Sequence, residues 1–335
     1  MMTPKVAVIT RTKNRPFLLE RALKSVMGQS FGDLLMVIVN DGGDVRPIES
    51  LAEKHKELIK GRIKIIDNQT SVGMERASNK GIRASKSEYI AMLDDDDTWH
   101  PDFLKETINR LENSEYKGVV TGSEIIQEII EDETVKTVGS TRFAPEISQI
   151  RLFNLSGVNQ FPNNSFVYVR EVLAKIGGYD QEAPVLGDWD FNRRFLSIYD
   201  IDFIDKPLAN YHHRYSEKGP MGNSLSSHAE IYTKLLNRYL RDDLNKGIFG
   251  LGVLANLSSS HRGIIAELET GKALTRELFV VNDRLQAEIL KNRTTLEDIE
   301  KRLRIMEKSN LSKIKENINK VPRRIMNKSK KDGRI

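Results

Sequence analysis

Short apolar runs alternate with amphipathic stretches along the first third of the chain. Residues 6–9, 34–39, 63–66, 89–93 and 118–121 are apolar runs bounded by polar turns, the pattern of buried strands. Between the first two, Leu19, Ala22, Leu23 and Val26 fall at i, i+3, i+4 and i+7, on one face of a helix. Strands that alternate with helices predict an α/β fold with a mostly parallel sheet covered on both sides. In such sheets ligands sit beyond the carboxyl ends of the strands, so the strand ends are the places to search. The first four are small and polar: Thr10-Arg11-Thr12-Lys13-Asn14, Asn40-Asp41-Gly42-Gly43, Asp67-Asn68-Gln69-Thr70 and Asp94-Asp95-Asp96-Asp97.

The pattern then changes twice. Residues 120–215 are less regular and strand-rich, and residues 224–247 read as helical. Residues 268–321 predict one long helix with apolar residues at coiled-coil spacing. Ile289, Leu296 and Leu303 form one track, and Leu278, Leu285, Ile299 and Met306 the other, with Asn282 and Asn292 as polar interruptions. After a one-residue skip Leu311, Ile314, Ile318, Val321 and Ile325 resume the repeat, and Pro322 ends or kinks it. The expected organisation is a catalytic domain over 1–226, a helical connector over 227–265, a coiled-coil helix over 266–321 and a basic tail over 322–335.

Charge sharpens this division. The net charge is +5, yet residues 291–335 hold 15 Lys/Arg against 6 Asp/Glu, while the other 290 residues hold 37 against 41. From 307 onward there are 10 Lys/Arg and 3 Asp/Glu, so beside its apolar residues the tail reads as a basic segment able to lie on anionic lipid. A solvated coiled-coil surface is the equal alternative. Nucleic acid is not expected, because no aromatic-rich basic surface accompanies the charge. There is no cysteine, which excludes disulfides, zinc–thiolate sites and cysteine nucleophiles. An apolar strand at residue 6 leaves no room for a signal peptide, and residues 248–257 are too few to span a bilayer. The expectation is a cytoplasmic protein, with any membrane contact peripheral on the inner face.

Four adjacent aspartates repel one another unless something compensates them. A hard cation does so, since Mg²⁺ and Mn²⁺ prefer carboxylate, water and phosphate oxygens. A second carboxylate stands at Asp188. If residues 188–199 are helical, Asp188 shares a face with Phe191 and Phe195, while Asp190 points to Arg193 and Arg194 as a surface ion pair. An inward carboxylate on a first helical turn is a candidate general base; a helix cap is the bland alternative.

These segments carry a resemblance. Val6-Ala7-Val8-Ile9-Thr10-Arg11-Thr12-Lys13-Asn14-Arg15 and Leu23-Lys24-Ser25-Val26-Met27-Gly28-Gln29-Ser30-Phe31 resemble the opening of family 2 glycosyltransferases. Val37-Ile38-Val39-Asn40-Asp41-Gly42-Gly43, Asn79-Lys80-Gly81-Ile82, the strand ending in Asp94-Asp95-Asp96-Asp97, Gly177-Gly178-Tyr179-Asp180 and Gly187-Asp188-Trp189-Asp190 continue it in order over residues 4–226. The resemblance implies a GT-A fold, a nucleoside-diphosphate sugar donor, Mn²⁺ or Mg²⁺, and inversion at the anomeric carbon. It implies that Asp41 reads the nucleobase, that Thr10, Arg11 and Asn14 line the nucleotide pocket, that Asp94 and Asp95 hold the ribose and sugar side, that Asp96 binds metal and that Asp188 is the base. Arg76 and Asn79, after the third strand, join the nucleotide set, with a surface salt bridge the alternative for Arg76. His212 and His213 are candidates to complete the metal site, and residues 219–226 resemble the loop that closes over the donor. Asp97 is expected only to cap the next helix. Trp99 stacks under a sugar or packs on that helix, and Asn163-Asn164-Ser165 is a turn.

The chain departs from the family at Gly187, where an acidic residue is usual, and at Asn40, where aspartate is frequent. The expected acceptor is a glycan or lipid-linked hydroxyl, in surface polysaccharide synthesis, and the helix predicts a homo-oligomer. Two rivals remain: a nucleotidyltransferase, which would carry an early glycine-rich phosphate loop absent from Thr10–Arg15, and a non-catalytic assembly protein built around the coiled coil.

Overall fold

The computed structural model describes residues 3–131, 134–182, 186–215, 217, 219, 222 and 228–320. The chain opens as its pattern predicts, with β1 (Val6–Thr12), α1 (Pro16–Met27), β2 (Leu34–Asp41), α2 (Arg46–Lys54), α3 (Lys56–Ile59), β3 (Ile63–Asn68), α4 (Met74–Arg83) and β4 (Tyr89–Met92). Then come β5 (Thr98–Trp99), α5 (Phe103–Glu112), β6 (Gly118–Glu131), β7 (Thr134–Arg142), α6 (Leu152–Gly157), β8 (Phe166–Val169), α7 (Leu173–Ile176), α8 (Gly187–Leu196) and β9 (Ile201–His213). Two helices follow, α9 (His228–Lys246) and α10 (Leu251–Lys320).

The described strands form one sheet in the order β3-β2-β1-β4-β8-β6-β9-β5, with β7 on β6. The first four run parallel. Their register sets Thr12 beside Asn40 and Asn40 beside Asp67, so neighbouring strands turn polar at one level. Strand β8 is antiparallel to β4 and to β6, and β6 runs parallel to β9.

Both faces of the sheet are covered. On one, Leu19, Ala22, Leu23 and Val26 of α1 meet Val8, Met36 and Ile38, with Phe103 and Ile108 of α5. On the other, Ala77 and Ile82 of α4 and Phe191 and Phe195 of α8 meet Ile9, Val39 and Ile90. Burying each of the larger of these side chains stabilises the fold by about 1.5–3 kcal/mol. Helix α9 packs outside α8, where Trp189 stacks on Tyr232 at 5.2 Å between ring centroids.

Two compact units emerge, residues 1–262 and 263–335. The long helix starts at Leu251, well before the expected 268. Its first turns carry Gly252 and three serines, poor helix formers, and tertiary packing supplies what propensity does not: Ala255 and Ser258 are buried, and Gly252 lies against the backbone of Tyr239. Beyond 262 the helix is exposed throughout its described side chains. The basic tail and most of the expected donor-closing loop lie outside the described residues.

Candidate functional site

The turn from β1 to α1 builds the first wall of the site. Asn14 takes the left-handed conformation (φ 55°), which asparagine tolerates better than most residues, and Pro16 starts the helix. Between them Arg15 is thrown over the strand ends. Asn14 Oδ1 accepts a hydrogen bond from the Asp44 backbone N–H at 3.0 Å, tying the ends of β1 and β2 together. The carboxylate of Asp41 closes the loop after β3: it accepts from Asn68 Nδ2 (2.9 Å), Ser71 Oγ (2.8 Å) and the backbone N–H groups of Val72 (2.9 Å) and Gly73 (3.1 Å). Despite its burial, these four donors hold Asp41 below the usual carboxylate range. Gly42, at φ 78°, leaves no room for a Cβ against the backbone of Thr70 and Ser71.

The four aspartates find their partners within the chain, with Arg15 shared by two of them. Asp94, the most exposed, pairs with the guanidinium of Arg11, whose Nε donates at 3.1 Å. Asp95 is fully buried and accepts from Thr12 Oγ1 (2.6 Å) and from Arg15 Nε (3.1 Å) and Nη2. Asp96 receives Arg15 Nη1 at 3.3 Å and the buried Arg214. Asp97 accepts from the backbone N–H of His212 at 2.9 Å; it ties β4 to β9 and is not the cap of α5, whose N-cap is Asp102. Burial pushes Asp97 well above the ordinary carboxylate value, aided by the charges of Asp96 and Asp94. Against the cost of its burial, Asp96 is held low by Arg15 and Arg214. The run is therefore compensated by guanidinium groups from residues 11, 15 and 214, with the pKa of Asp97 raised.

A second layer supports it. Glu128 of β6 is 3% exposed and accepts from Arg21 Nη1 (2.5 Å) and Arg214 Nη1 (3.5 Å), and bonds His212 Nδ1 at 2.6 Å. The other ring nitrogen of His212 is 2.9 Å from Thr98 Oγ1, so both are engaged within the protein. His213 differs. Its Nδ1 meets Tyr215 Oη at 2.7 Å, while its buried Nε2 has no hydrogen-bond partner among the described residues. Burial first, then Arg214, lowers its pKa, favouring the neutral imidazole, the form that ligates metals, within electrostatic reach of Asp96.

Asp188 stands on the first turn of α8 and accepts from Asn159 Nδ2 at 2.9 Å. Its charge is felt at Tyr211 and at Glu75. Asp190 is not the surface residue its helical position suggested. It is 5% exposed, with the expected i+4 pair to Arg194 at 2.8 Å and a hydrogen bond from Tyr239 Oη at 2.7 Å, because α9 covers that face.

A cleft of about 470 Å³ opens at these strand ends, lined by residues that include Arg11, Asn14, Arg15, Asp41, Asp94, Asp96 and Tyr211. The remaining sequence candidates stand apart from its walls. Thr10 is buried, and its hydroxyl has no hydrogen-bond partner among the described residues. Arg76 pairs with Glu182 on the surface at 3.0 Å. Asn79 clamps the backbone of Tyr179 with bonds of 2.8 and 3.0 Å. Trp99 packs on Phe103 at 4.3 Å, and Asn164 bonds the carbonyl of Asn210. Sequence reasoning missed Glu75, Arg21, Glu128 and Arg214, although Arg214 directly follows the paired histidines that drew notice.

For a divalent cation the donor set is small but suitable. Asp96 offers a carboxylate and His213 a bare nitrogen, and no group of three His, Asp or Glu side chains converges among the described residues. Such a pair fits an ion that draws its other ligands from substrate phosphates and water.

Residues 7–173, about half of the chain, match the family described as Glycosyl transferase family 2. The chain is 27% identical over 266 residues to an uncharacterised glycosyltransferase of Nostoc sp., covering 76% of this chain and 79% of that one. It is 26% identical over 218 residues to the uncharacterised glycosyltransferase YwdF of Bacillus subtilis, covering 64% and 76%. Among solved structures it is similar to residues 1–349 of S. aureus TarS in complex with UDP-GlcNAc, with a TM-score of 0.53 at 17% identity over 70% of this chain. The chain spans 66% of that TarS structure, slightly under two thirds. At this identity the likeness speaks for the fold, and the fold is the GT-A arrangement expected from the sequence.

Proposed function

The chain belongs to Glycosyl transferase family 2 and is a glycosyltransferase acting with nucleotide-sugar donors; from that premise we propose an inverting, cation-assisted enzyme. It moves a sugar from a nucleoside-diphosphate donor, UDP-linked in preference, to a hydroxyl of a glycan or lipid-linked acceptor, in assembly of a surface polysaccharide such as capsule or lipopolysaccharide. One observation carries this reading. The cleft at the carboxyl ends of the parallel strands has Asp94 and Asp96 on its wall, and the charge of Asp188 reaches Tyr211 on the same wall. The preference for UDP is supported by the match around Asp41 and by the UDP-GlcNAc complex of TarS.

In this reading Asp41 and the 71–73 loop it holds frame the base, with Arg11 and Asn14 beside it; Asp94 faces the ribose and sugar, and the buried Asp95 positions Arg15 from behind the cleft wall. Asp96 and His213 would hold a Mn²⁺ or Mg²⁺, which when bound would supply positive charge to offset that growing on the leaving diphosphate. Arg15 and Arg214 already share the Asp96 carboxylate and add two guanidinium groups beside it. Asp188, oriented by Asn159, takes the acceptor proton as the acceptor oxygen bonds to the anomeric carbon. The bond from that carbon to the diphosphate breaks on the opposite face, and its electron pair leaves with the nucleoside diphosphate.

The long helix serves as an oligomerisation element, and the basic segment 322–335, outside the described residues, as a contact to anionic lipid at the inner membrane face. No described helix is long and apolar enough to cross a membrane.

A panel of UDP-, GDP- and dTDP-sugars with Mn²⁺ tests the chemistry. Asp188→Asn is expected to lose about 10²–10⁴-fold in kcat, and Asp96→Ala to abolish cation-dependent transfer. Unchanged transfer in both variants overturns the mechanism, and release of pyrophosphate instead of nucleoside diphosphate would reassign the chain to nucleotidyl transfer. Calorimetric titration with UDP and Mn²⁺ separates the enzyme from a scaffold, which would bind neither.

A further inference from the structure

The start of α8 has an acidic neighbour that the sequence pattern gave no reason to notice. Glu75, the second residue of α4, is 5% exposed. Its carboxyl group lies against Gly187 at the start of α8, at the helix end where an anion is favoured. A Cβ added at Gly187 would lie 2.5 Å from that carboxyl group. The space that a side chain at 187 would claim is thus already filled, from another helix, by a carboxylate. Glu75 also meets Arg11 Nη1 at 3.4 Å, and Arg11 in turn pairs with Asp94.

We propose that Glu75 is a positioning residue for Asp188, supplying from α4 the carboxylate that α8 lacks at Gly187. The inference rests on Asp188 being the base. Glu75 ties the first turn of α8 to Arg11, and through Arg11 to Asp94, so one chain of contacts sets the base relative to the sugar-side aspartate. A glutamine would fill the same space beside Gly187 but could not hold the guanidinium as a carboxylate does.

The groups facing Glu75 are Arg11 from β1, Asp94 after β4, Asp188 from α8 and Tyr179. Burial, then Asp188 and Asp94, push Glu75 up to about 7 against Arg11 and the Gly187 N–H. The clamp is therefore fully charged only above neutrality.

Glu75→Gln is expected to lower kcat about 10- to 100-fold, the scale of a small misplacement of a reacting group, with the donor KM nearly unchanged because Glu75 lies off the cleft wall. It should also remove a titration near pH 7 from the kcat profile. Glu75→Ala/Gly187→Glu, which moves the carboxylate onto α8, should recover at least about tenfold of the kcat lost in Glu75→Ala. Gly187→Glu alone should be impaired, since two carboxyl groups then compete for one space. UDP binding with Mn²⁺ in each variant reports folding, and if Glu75→Gln fails to fold, the double variant against Glu75→Ala decides. Wild-type kcat and pH profile in Glu75→Gln, or a double variant no better than Glu75→Ala, overturns the proposal. A dead Asp188→Asn beside an unimpaired Glu75→Gln sinks this inference alone, whereas a fully active Asp188→Asn sinks the base assignment and this inference with it.

Discussion

The rim of the sheet and the long helix treat burial in opposite ways. At the rim Asp95, Asp96, Asp97, Glu128, His212 and Arg214 are each no more than 8% exposed, charged or polar groups drawn out of water. Along the unit beyond 262, apolar side chains stand in water, with Leu278 at 69%, Leu285 at 51% and Leu296 at 61%. The rim has found its partners inside the chain, by bringing together residues far apart in sequence. The helix offers a stripe and supplies no partner of its own among the described residues. Changes at the rim should therefore act on the stability and chemistry of the first unit, and changes on the helix on association.

The largest effect is expected from Arg214→Leu. Arg214 is 1% exposed and serves two buried carboxylates, Asp96 and Glu128. Removing it leaves both short of a cation, a defect costing about 3–5 kcal/mol. Both acids are held low against burial, Asp96 by Arg15 and Arg214, and Glu128 by His212 and Arg21. Their pairing stabilises the fold above the ordinary carboxylate range and is lost as pH falls through the lowered values. The deficit of Arg214→Leu should thus be largest at neutral pH and shrink only as pH falls below the ordinary carboxylate values. Urea denaturation at several pH values measures it, and a neutral-pH loss below about 1 kcal/mol would contradict the pairing.

Glu75→Gln comes next, with the opposite sign. The folded-state value near 7 lies above the ordinary 4.5, so the native state binds this proton more tightly than the unfolded chain. Its contribution favours folding less and less as pH rises from about 4.5 to about 7. Replacing the carboxylate should leave stability near pH 5 little changed and raise it by about 1–3 kcal/mol at pH 8, while kcat falls. A gain in stability with a loss of rate is what a strained functional group predicts; equal midpoints at the two pH values would remove the strain from the account.

Asp190→Ala follows. Its bonds to Arg194 and Tyr239 join α8 to α9, and their loss should cost about 1–3 kcal/mol. A surface ion pair of the kind first expected would cost about 0.5 kcal/mol, so chemical denaturation separates the two placements.

The same contrast explains what the sequence disclosed. The first four strands and their polar ends were legible because an apolar run, a turn and a small polar cluster are local signals. Asp188 and Asp190 were separable because residues two apart on a helix point different ways. That rule tells direction and not coverage, and Tyr239, some fifty residues later, decides that Asp190 is buried. Glu75, Glu128, Arg21 and Arg214 were silent for a related reason. Each is one charged residue in a helical or strand pattern, which locally is indistinguishable from a solvated face. The parallel register of β6 and β9, which pairs Ile126 with His212, brings Glu128 to the histidine, and nothing within either segment announces it. The aspartate run looked in need of a cation for the same reason: its arginines come from both ends of the first unit.

The helix should respond most weakly in stability and most clearly in mass. In the proposed reading, a helix of this length with apolar residues spaced by three and four associates through that stripe. Leu285→Glu with Leu296→Glu places a charge on each expected track. Both residues are exposed and lie beyond 262, so the unfolding midpoint of the first unit should move by no more than about 0.5 kcal/mol, and sugar transfer measured at saturating substrate should be unchanged. The species seen by light scattering should fall from an oligomer to the monomer mass. A monomeric wild type would break the comparison outright, because the stripe would then have no partner to find. A double variant that becomes monomeric and also loses transfer would sharpen it differently, by showing that the cleft depends on the assembly which the stripe holds together.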